Sequence, residues 1–274
     1  MAATAASEKF DLVMTLGGDG TVNEAVNGLL GGADPAGGIS APRRDAAELP
    51  ALAALPGGNA NVFIRSLHLP TDPVDAAGQL IEDLAAGKER CIGLGTANGR
   101  YFTFNAGLGL DAEVVRAVEG RRAHGRRLTP ALYTRTALRQ YYQITDRRHA
   151  ALCIAEPAGL TADPVFDCIV SNTAPWTYLG DRPVNASPAA SFDSGLDLLA
   201  LRSLGTIATA RTLRQMLRNQ DRPPRGRTVL TAHDLPILEL LADRPTALQL
   251  DGEYVGETES VSFSSAPRAL RVVA

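Results

Sequence analysis

The sequence predicts an α/β domain followed by a β-rich domain, and three observations carry this prediction. The first 90 residues alternate apolar strand-like runs, glycine loops and segments with helical spacing, which is typical of a parallel α/β unit. From residue 91 onward, short apolar runs follow one another between turn residues, which indicates a mostly antiparallel β domain. The chain has 274 residues, 45% hydrophobic and 21% charged, so it can bury a sizeable core.

The first domain is predicted from its apolar runs in order. Residues 10–16 predict a buried strand, and the helical spacing beyond the next glycine loop predicts a helix that ends near Gly31. Residues 49–55 predict a second strand. Two further helices are expected, one over 59–67 and one that begins near Pro73 and runs to about residue 87.

The second domain is predicted to be a β-sandwich with two helical stretches, at about 111–143 and 206–219. Its strands are expected at 91–95, 100–106, 150–155, 165–171, 196–202, 228–231, 236–241, 246–251 and 259–263. We place the boundary between residues 90 and 91, so that the second domain is 91–265 and 266–274 returns to the first domain.

Composition excludes several classes of protein. No apolar run approaches the roughly 18–20 residues of a membrane-spanning helix, and the N-terminus lacks the apolar stretch of a secretory signal. The three cysteines, Cys91, Cys153 and Cys168, are too few and too scattered for a disulfide framework or a zinc site. A cytoplasmic, reduced protein is the expectation.

Positive charge is concentrated in one segment. Residues 116–148 contain nine arginines against Glu119 and Asp146, a local charge of +7 in a chain whose net charge is −3. This block, which we call the arginine segment, predicts an anionic partner such as phosphate, a lipid headgroup or nucleic acid. A solvated helix face is the alternative interpretation.

The junction between the first predicted strand and its helix carries the strongest local motif. Glycines let a ligand approach the backbone, and the start of a helix presents N–H groups to an anion. A carboxylate beside such a site holds Mg²⁺ or positions a hydroxyl, which makes Asp19 a candidate catalytic residue. The alternative is a structural turn. The candidate nucleotide contacts are Gly17, Gly18, Asp19, Gly20, Thr21, Val22 and Asn23.

A second glycine turn repeats this arrangement at residues 56–61. It follows the second predicted strand, so it should lie at the same edge of the sheet as the first loop, and the two loops together predict a nucleotide cleft. Its candidate contacts are Gly58, Asn59 and Asn61, and helix N-capping by either asparagine is the alternative.

Two acidic motifs stand in the second domain. Asp251 and Gly252 lie between alternating apolar residues and predict a hairpin turn, which would hold Glu253 rigidly enough for a general base. Asp193 and Asp197 flank a glycine turn that could bind a hard cation, or could form only a local turn ahead of a strand.

These motifs occur together in a known family. Five of them appear in the family's order, at 16–24, 55–63, 104–111, 191–197 and 250–253, and the chain therefore resembles the diacylglycerol kinase catalytic family from about residue 10 to its C-terminus. The first motif alone is shared with NAD kinases and more loosely with phosphofructokinases. The later motifs favour a bacterial lipid kinase of the diacylglycerol or sphingosine kinase type.

The resemblance implies a nucleotide-binding α/β domain, a β-sandwich and an active cleft between them. It implies that residues 17–23 bind the phosphates of ATP and that Glu253 takes the proton from the lipid hydroxyl. It points to Asp193 for a metal ion, with Asp197 as a weaker candidate. Asn59 stands where the family often has threonine. The family also carries a strand and helix ahead of the first motif, so a truncated chain or a misassigned start codon is expected.

The resulting hypothesis is an ATP- and Mg²⁺-dependent kinase that phosphorylates diacylglycerol or a related lipid such as sphingosine or ceramide. It would dock peripherally on a membrane, with the arginine segment as a candidate surface, and it would not bind nucleic acid; a homodimer is possible. The alternatives are an NAD kinase-like enzyme and a catalytically inactive nucleotide- or lipid-binding fragment.

Overall fold

The computed structural model describes residues 1–32, 45–123, 130–157, 160, 163–218 and 220–274. The strands are β1 Leu12–Gly17, β2 Ala51–Pro56, β3 Arg90–Ala97, β4 Arg100–Phe102, β5 Asn105–Gly109, β6 Leu152–Glu156, β7 Asp167–Ser171, β8 Thr177–Leu179, β9 Arg182–Val184, β10 Leu196–Leu201, β11 Val229–Leu235, β12 Ile237–Leu250 and β13 Glu253–Val272. The helices are α1 Ala2–Ser7, α2 Asp19–Leu30, α3 Val62–Ser66, α4 Pro73–Ala85, α5 Leu110–Ala123, α6 Pro130–Arg139 and α7 Thr206–Arg218, and a π-turn at Gln140–Ile144 follows α6.

The first domain contains the predicted parallel unit. Strands β1 and β2 pair in parallel, with Leu12 opposite Ala51, and α2 follows β1 directly. Helix α2 ends at Gly31, whose φ of 70° is the left-handed conformation that glycine adopts without strain. Helix α4 begins where predicted, because the Asp72 carboxylate accepts hydrogen bonds from two backbone N–H groups of its first turn.

The prediction of a buried first strand was wrong for one of its faces. Met14 and Leu16 are 53% and 68% exposed, whereas Thr15, which points the other way, is buried. Strand β1 is the end strand of the sheet in the described part of the chain. Helix α2 packs against β1 on the Thr15 side, whereas α4, on the other side of the sheet, packs against the neighbouring β2. An uninterrupted apolar run does not reveal which faces of a strand will be covered.

The longest strands join the two domains. We expected three short strands at 236–241, 246–251 and 259–263, but the chain forms the long hairpin of β12 and β13 with register breaks inside it. The far end of β13 reaches β2, where Val272 pairs in parallel with Leu52. The C-terminal residues therefore extend the sheet of the first domain, while the exact domain boundaries stay a prediction.

A single hydrogen-bonded path of strands runs through the molecule in the order β1-β2-β13-β12-β5-β7-β10-β11, with β3 and β4 beside β13 and β6 beside β12. The strands of the second domain enclose their own apolar core in a sandwich-like arrangement. The predicted α/β domain followed by a β-sandwich is confirmed. Representative core residues are Val26, Leu52, Phe63 and Leu270 in the first domain and Phe102, Leu108, Val170 and Phe263 in the second.

Within the helical stretch predicted at 111–143, the structure describes helices α5 and α6. The residues between them, 124–129, lie outside the described part of the chain. The π-turn packs inward through Tyr141, whose hydroxyl donates a 2.6 Å hydrogen bond to the Leu204 carbonyl. Helix α1 was not predicted, because its six residues carry little amphipathic pattern.

Two buried carboxyl groups lie where α5 meets β7. The Asp167 side chain accepts a 3.0 Å hydrogen bond from the Asp111 backbone N–H, and Gln249 donates to the Asp111 carboxyl group at 2.8 Å. Burial, and then the nearby charge of Asp111, raises the pKa of Asp167 well above its ordinary value. The folded protein therefore keeps a proton on Asp167 at pH values where the unfolded chain has lost it.

This proton makes stability depend on pH in a defined direction. Because the folded state binds the extra proton, the free energy of unfolding falls as pH rises from the ordinary aspartate pKa toward the raised one. Asp167→Asn has no proton to lose, so its unfolding free energy relative to wild type should increase between about pH 5 and pH 8. Urea melts across that range test this, with the exposed Asp243→Asn as control. A difference that does not change with pH would contradict the assignment.

Candidate active site

The two glycine loops pack directly against each other. The Gly57 N–H donates a 2.9 Å hydrogen bond to the Gly17 carbonyl, at the carboxyl ends of the paired strands β1 and β2. A Cβ added to Gly58 would lie 2.5 Å from the Gly18 Cα, which no side chain tolerates. These glycines are thus required for backbone contact between the loops, whatever ligand the loops also bind.

Asn61 closes the second loop on itself. Its side-chain oxygen accepts from the Gly58 N–H at 2.9 Å, and its amide donates to the Gly58 carbonyl at 3.0 Å. Asn61 also occupies the N-cap position of α3 with a left-handed φ of 47°, although its side chain does not cap the helix N–H groups. Asn59 is exposed at the tip of the loop. Of the two asparagines, Asn59 is therefore the one that faces solvent.

Asp19 links the first loop to the second. Its two carboxylate oxygens accept hydrogen bonds from the backbone N–H groups of Val62 and Phe63, at 3.1 and 3.0 Å, and so complete the start of α3. Burial raises the pKa of Asp19 to about 6; these hydrogen bonds oppose the shift, and the charge of Asp251 adds to it. The residue proposed for metal or hydroxyl chemistry thus also holds the two loops in register.

The predicted hairpin at the start of β13 is present. Asp251 and Gly252 have φ values of 51° and 77°, and Leu250 pairs with Glu253 across the two-residue turn. A Cβ built on Gly20 would lie 1.8 Å from a carboxylate oxygen of Glu253. The Glu253 carboxylate therefore lies against the first turn of α2, so the first and last sequence motifs meet at one place.

The role of Asp251 was not predicted from the sequence. Its buried carboxylate accepts hydrogen bonds from the Thr103 N–H and hydroxyl, and from the N–H groups of Phe104 and Asn105, at 2.7–3.2 Å. It also accepts from the Asn23 amide at 2.8 Å. An aspartate in an Asp-Gly turn is explained by the turn alone, so no local pattern indicated that it bridges α2, β5 and the hairpin.

Two predicted nucleotide contacts face the protein instead. Besides Asp251, the Asn23 amide donates to the Tyr101 carbonyl at 3.0 Å, and its oxygen accepts from the Arg100 guanidinium at 3.0 Å. The Val22 side chain is fully buried in the first core. Helical periodicity accounts for both, because α2 turns them inward. Thr21 is exposed, and Gly17, Gly18 and Gly20 are partly exposed.

The structure places the side chains of Asp193 and Asp197 in different surroundings, and their role as metal ligands stays a prediction. Asp193 is exposed, whereas Asp197 is buried and accepts from the His233 ring at 2.7 Å and from the Asp234 N–H at 3.1 Å. Burial raises the pKa of Asp197 and these contacts oppose the shift. Within the described ranges, no group of three or more histidine, cysteine or acidic side chains forms a metal cage.

The loops and the hairpin together form an arrangement that suits phosphate chemistry. Two glycine loops follow parallel strands, and the Glu253 carboxylate lies against the start of the helix after the first loop. Residues 1–96 match the model of the diacylglycerol kinase catalytic domain, so the resemblance inferred from the motifs is confirmed over that stretch.

Curated relatives are similar over 37–39% of the chain. A diacylglycerol kinase of Staphylococcus saprophyticus is 36% identical over 101 residues, 37% of this chain and 27% of the relative. A diacylglycerol kinase of Bacillus subtilis is 38% identical over 109 residues, 39% of this chain and 30% of the relative. The matched stretch thus spans less than a third of these proteins, and their activity is not transferred by similarity alone.

Solved structures extend the likeness to the whole fold. A crystal structure of a diacylglycerol kinase from Bacillus anthracis superimposes with a TM-score of 0.63 at 17% identity, covering 99% of this chain and 80% of that chain. Another from the same organism gives 0.71 at 20% identity, covering 99% and 81%. At these identities the likeness establishes the fold. Among the described helices, none combines the length and apolar character needed to cross a membrane.

The contact between the glycine loops can be tested by a single methyl group. Gly58→Ala should lower the free energy of unfolding by about 1–3 kcal/mol, because the added Cβ meets backbone that cannot rotate away. Gly78→Ala, inside α4, is the matched control; its Cβ meets nothing within 4 Å, so it should stabilise by about 0.5–1 kcal/mol. Urea melts of both variants provide the measurement. Equal effects of the two substitutions would rule out close packing of the loops.

Proposed function

We propose that the protein is an ATP-dependent lipid kinase that phosphorylates the hydroxyl of diacylglycerol or a related lipid, giving a phospholipid such as phosphatidic acid. The observation that carries the proposal is the position of Glu253, whose carboxylate lies against the first turn of α2. A proton acceptor is thereby held beside the loops that suit phosphate groups. The match of residues 1–96 to the diacylglycerol kinase catalytic domain supports this assignment.

The roles of the residues follow from their chemistry. Glu253 accepts the proton of the lipid hydroxyl, whose oxygen attacks the γ-phosphorus of ATP while the bond to ADP breaks. The backbone around Gly18 and Gly58, with the exposed Thr21 and Asn59, provides the surface for the phosphates. Asp19 orders this surface by fixing the start of α3.

The residues of the cleft fit a magnesium ion that arrives with ATP. Mg²⁺ bound to phosphates needs only one or two protein carboxylates, and Asp19 and Glu253 both lie at the first turn of α2. Each Asp19 oxygen that accepts one backbone N–H retains a second lone pair. When bound, the ion would neutralise negative charge on the phosphoryl oxygens. Asp193, which the resemblance indicated, is left as an exposed single carboxylate.

The two alternatives, an NAD kinase-like enzyme and an inactive fragment, differ from the lipid kinase in substrate and in turnover. An NAD kinase would act on a soluble dinucleotide, and the family match favours the lipid kinase over it. An inactive fragment would bind nucleotide without turnover. We further propose that the protein works in the cytoplasm at a membrane surface, because its lipid substrate resides there.

Phosphate transfer to lipid in mixed micelles tests the proposal. With radiolabelled ATP, the wild type should label diacylglycerol, sphingosine or ceramide but not NAD. Glu253→Gln removes the proton acceptor while keeping the shape of the side chain, so kcat should fall at least about 100-fold. Glu259→Gln, an exposed glutamate on the same strand, is the control and should change kcat less than twofold.

Three results would overturn parts of this proposal. Full activity in Glu253→Gln would exclude Glu253 as the base. Label in NAD rather than lipid would establish the dinucleotide kinase. ATP binding by calorimetry without any turnover would establish the inactive fragment.

A further inference from the structure

We propose that helix α6 and the π-turn after it form a docking surface for a bilayer that contains anionic lipid. The inference rests on the proposed function in one respect, since a lipid substrate brings the protein to a membrane. The proposed surface is one part of the arginine segment. It also contains exposed apolar side chains, which the charge of the segment did not indicate. We call this surface the α6 face and define it by Arg135, Leu138, Arg139, Tyr142 and Ile144.

The α6 face is amphipathic, and its inner side is fixed to the core. Gln140 and Tyr141 are buried; Gln140 donates to the Glu113 carboxylate at 3.0 Å and Tyr141 to the Leu204 carbonyl at 2.6 Å. The Thr145 hydroxyl donates to the same carboxylate at 2.5 Å. These contacts hold the π-turn in place, so its outward side chains are presented on a rigid support.

The outer side exposes large apolar groups next to one another. Leu138, Tyr142 and Ile144 are 53%, 52% and 57% exposed. Three large apolar side chains within seven residues exceed the isolated exposures that are normal on a protein surface. Leucine, isoleucine and tyrosine at this density suit the boundary between lipid headgroups and acyl chains.

Positive charge surrounds these apolar groups. Arg135 and Arg139 stand on α6 and Arg121 approaches from α5, and together with Leu138 and Tyr142 they line an open groove of about 1010 Å³. Residues 130–145 contain no aspartate or glutamate. The adjoining Asp146 carboxylate accepts from the His149 ring at 2.8 Å. The groove therefore favours an anionic headgroup beside apolar chains, as in a bilayer with anionic lipid.

A second basic surface in the molecule provides an internal comparison. Arg211, Arg214 and Arg218 on α7 line a smaller open groove of about 300 Å³. Helix α7 also exposes Ile207 and Leu213, but it has two such apolar groups where the α6 face has three. Removal of two arginines from α7 therefore matches the change of charge on α6 without changing the α6 face.

Vesicle co-sedimentation of the full chain, without ATP, tests the docking surface. The wild type should bind vesicles of phosphatidylcholine with phosphatidylglycerol at least tenfold more tightly than phosphatidylcholine alone, and added salt should weaken the binding. Two double variants, Arg135→Ala with Arg139→Ala and Leu138→Ser with Tyr142→Ser, should each lose at least tenfold in partitioning. Arg211→Ala with Arg214→Ala should stay within twofold of wild type. Circular dichroism of each variant confirms that it is folded.

The outcomes separate this inference from the proposed kinase activity. Glu253→Gln should bind vesicles like wild type even if it lacks turnover, so a failure of the kinase proposal leaves the docking result interpretable. Equal binding to neutral and anionic vesicles, or loss of binding only in the α7 variant, would overturn the assignment. If soluble glycerol phosphate abolished vesicle binding completely, the surface would be a site for a single headgroup rather than a docking surface for a bilayer. Self-association that depends on Leu138 would show a second copy as the occupant.

Discussion

The buried carboxylate of Asp251 is the constraint on which the rest of the site depends. Its hydrogen bonds reach α2 through Asn23 and the start of β5 through Thr103, while its own backbone forms the turn between the two longest strands. A buried carboxylate costs free energy unless its oxygens are satisfied, so these donors must stay in place for the protein to fold. Folding and the position of Glu253, two residues later, are therefore specified by the same group.

The glycine loops have a packed side and an accessible side. Their backbones approach so closely that a methyl group at Gly58 would collide with Gly18, and Asp19 joins both loops through the start of α3. Their outer surface stays accessible, with Thr21 and Asn59 exposed beside it. The structural role of the turns is therefore compatible with the phosphate binding proposed for them, since close packing on the inner side shapes the outer side.

The parts of the fold that could be predicted from sequence are those that local patterns determine. The glycine loop after a strand, the helix that ends at Gly31 and the turn at Gly252 all depend on residues close in sequence. The prediction of an α/β domain followed by a β-rich domain came from the change in hydrophobic periodicity near residue 90. The exposure of Leu16 could not be predicted, because it depends on the order of strands in the sheet.

The proximity of Glu253 to the first glycine loop followed from distinctive motifs, whereas the buried contacts of the candidate site did not. The Asn23 side chain contacts Asp251, and Asp251 joins three elements besides forming the predicted turn. These contacts could not be predicted, since the two residues are 228 positions apart and neither local pattern identifies the partner.

The coupling energy between Asn23 and Asp251 measures most directly whether the Asp251 carboxylate holds α2 against the hairpin. A double-mutant cycle of Asn23→Ala and Asp251→Ala, followed by urea unfolding, isolates the energy of their contact. A buried hydrogen bond to a carboxylate predicts a coupling of about 1.5–3 kcal/mol. Additivity of the two substitutions to within about 0.5 kcal/mol would show that Asp251 does not hold α2 against the hairpin. Asp251 would then not be the group that positions Glu253.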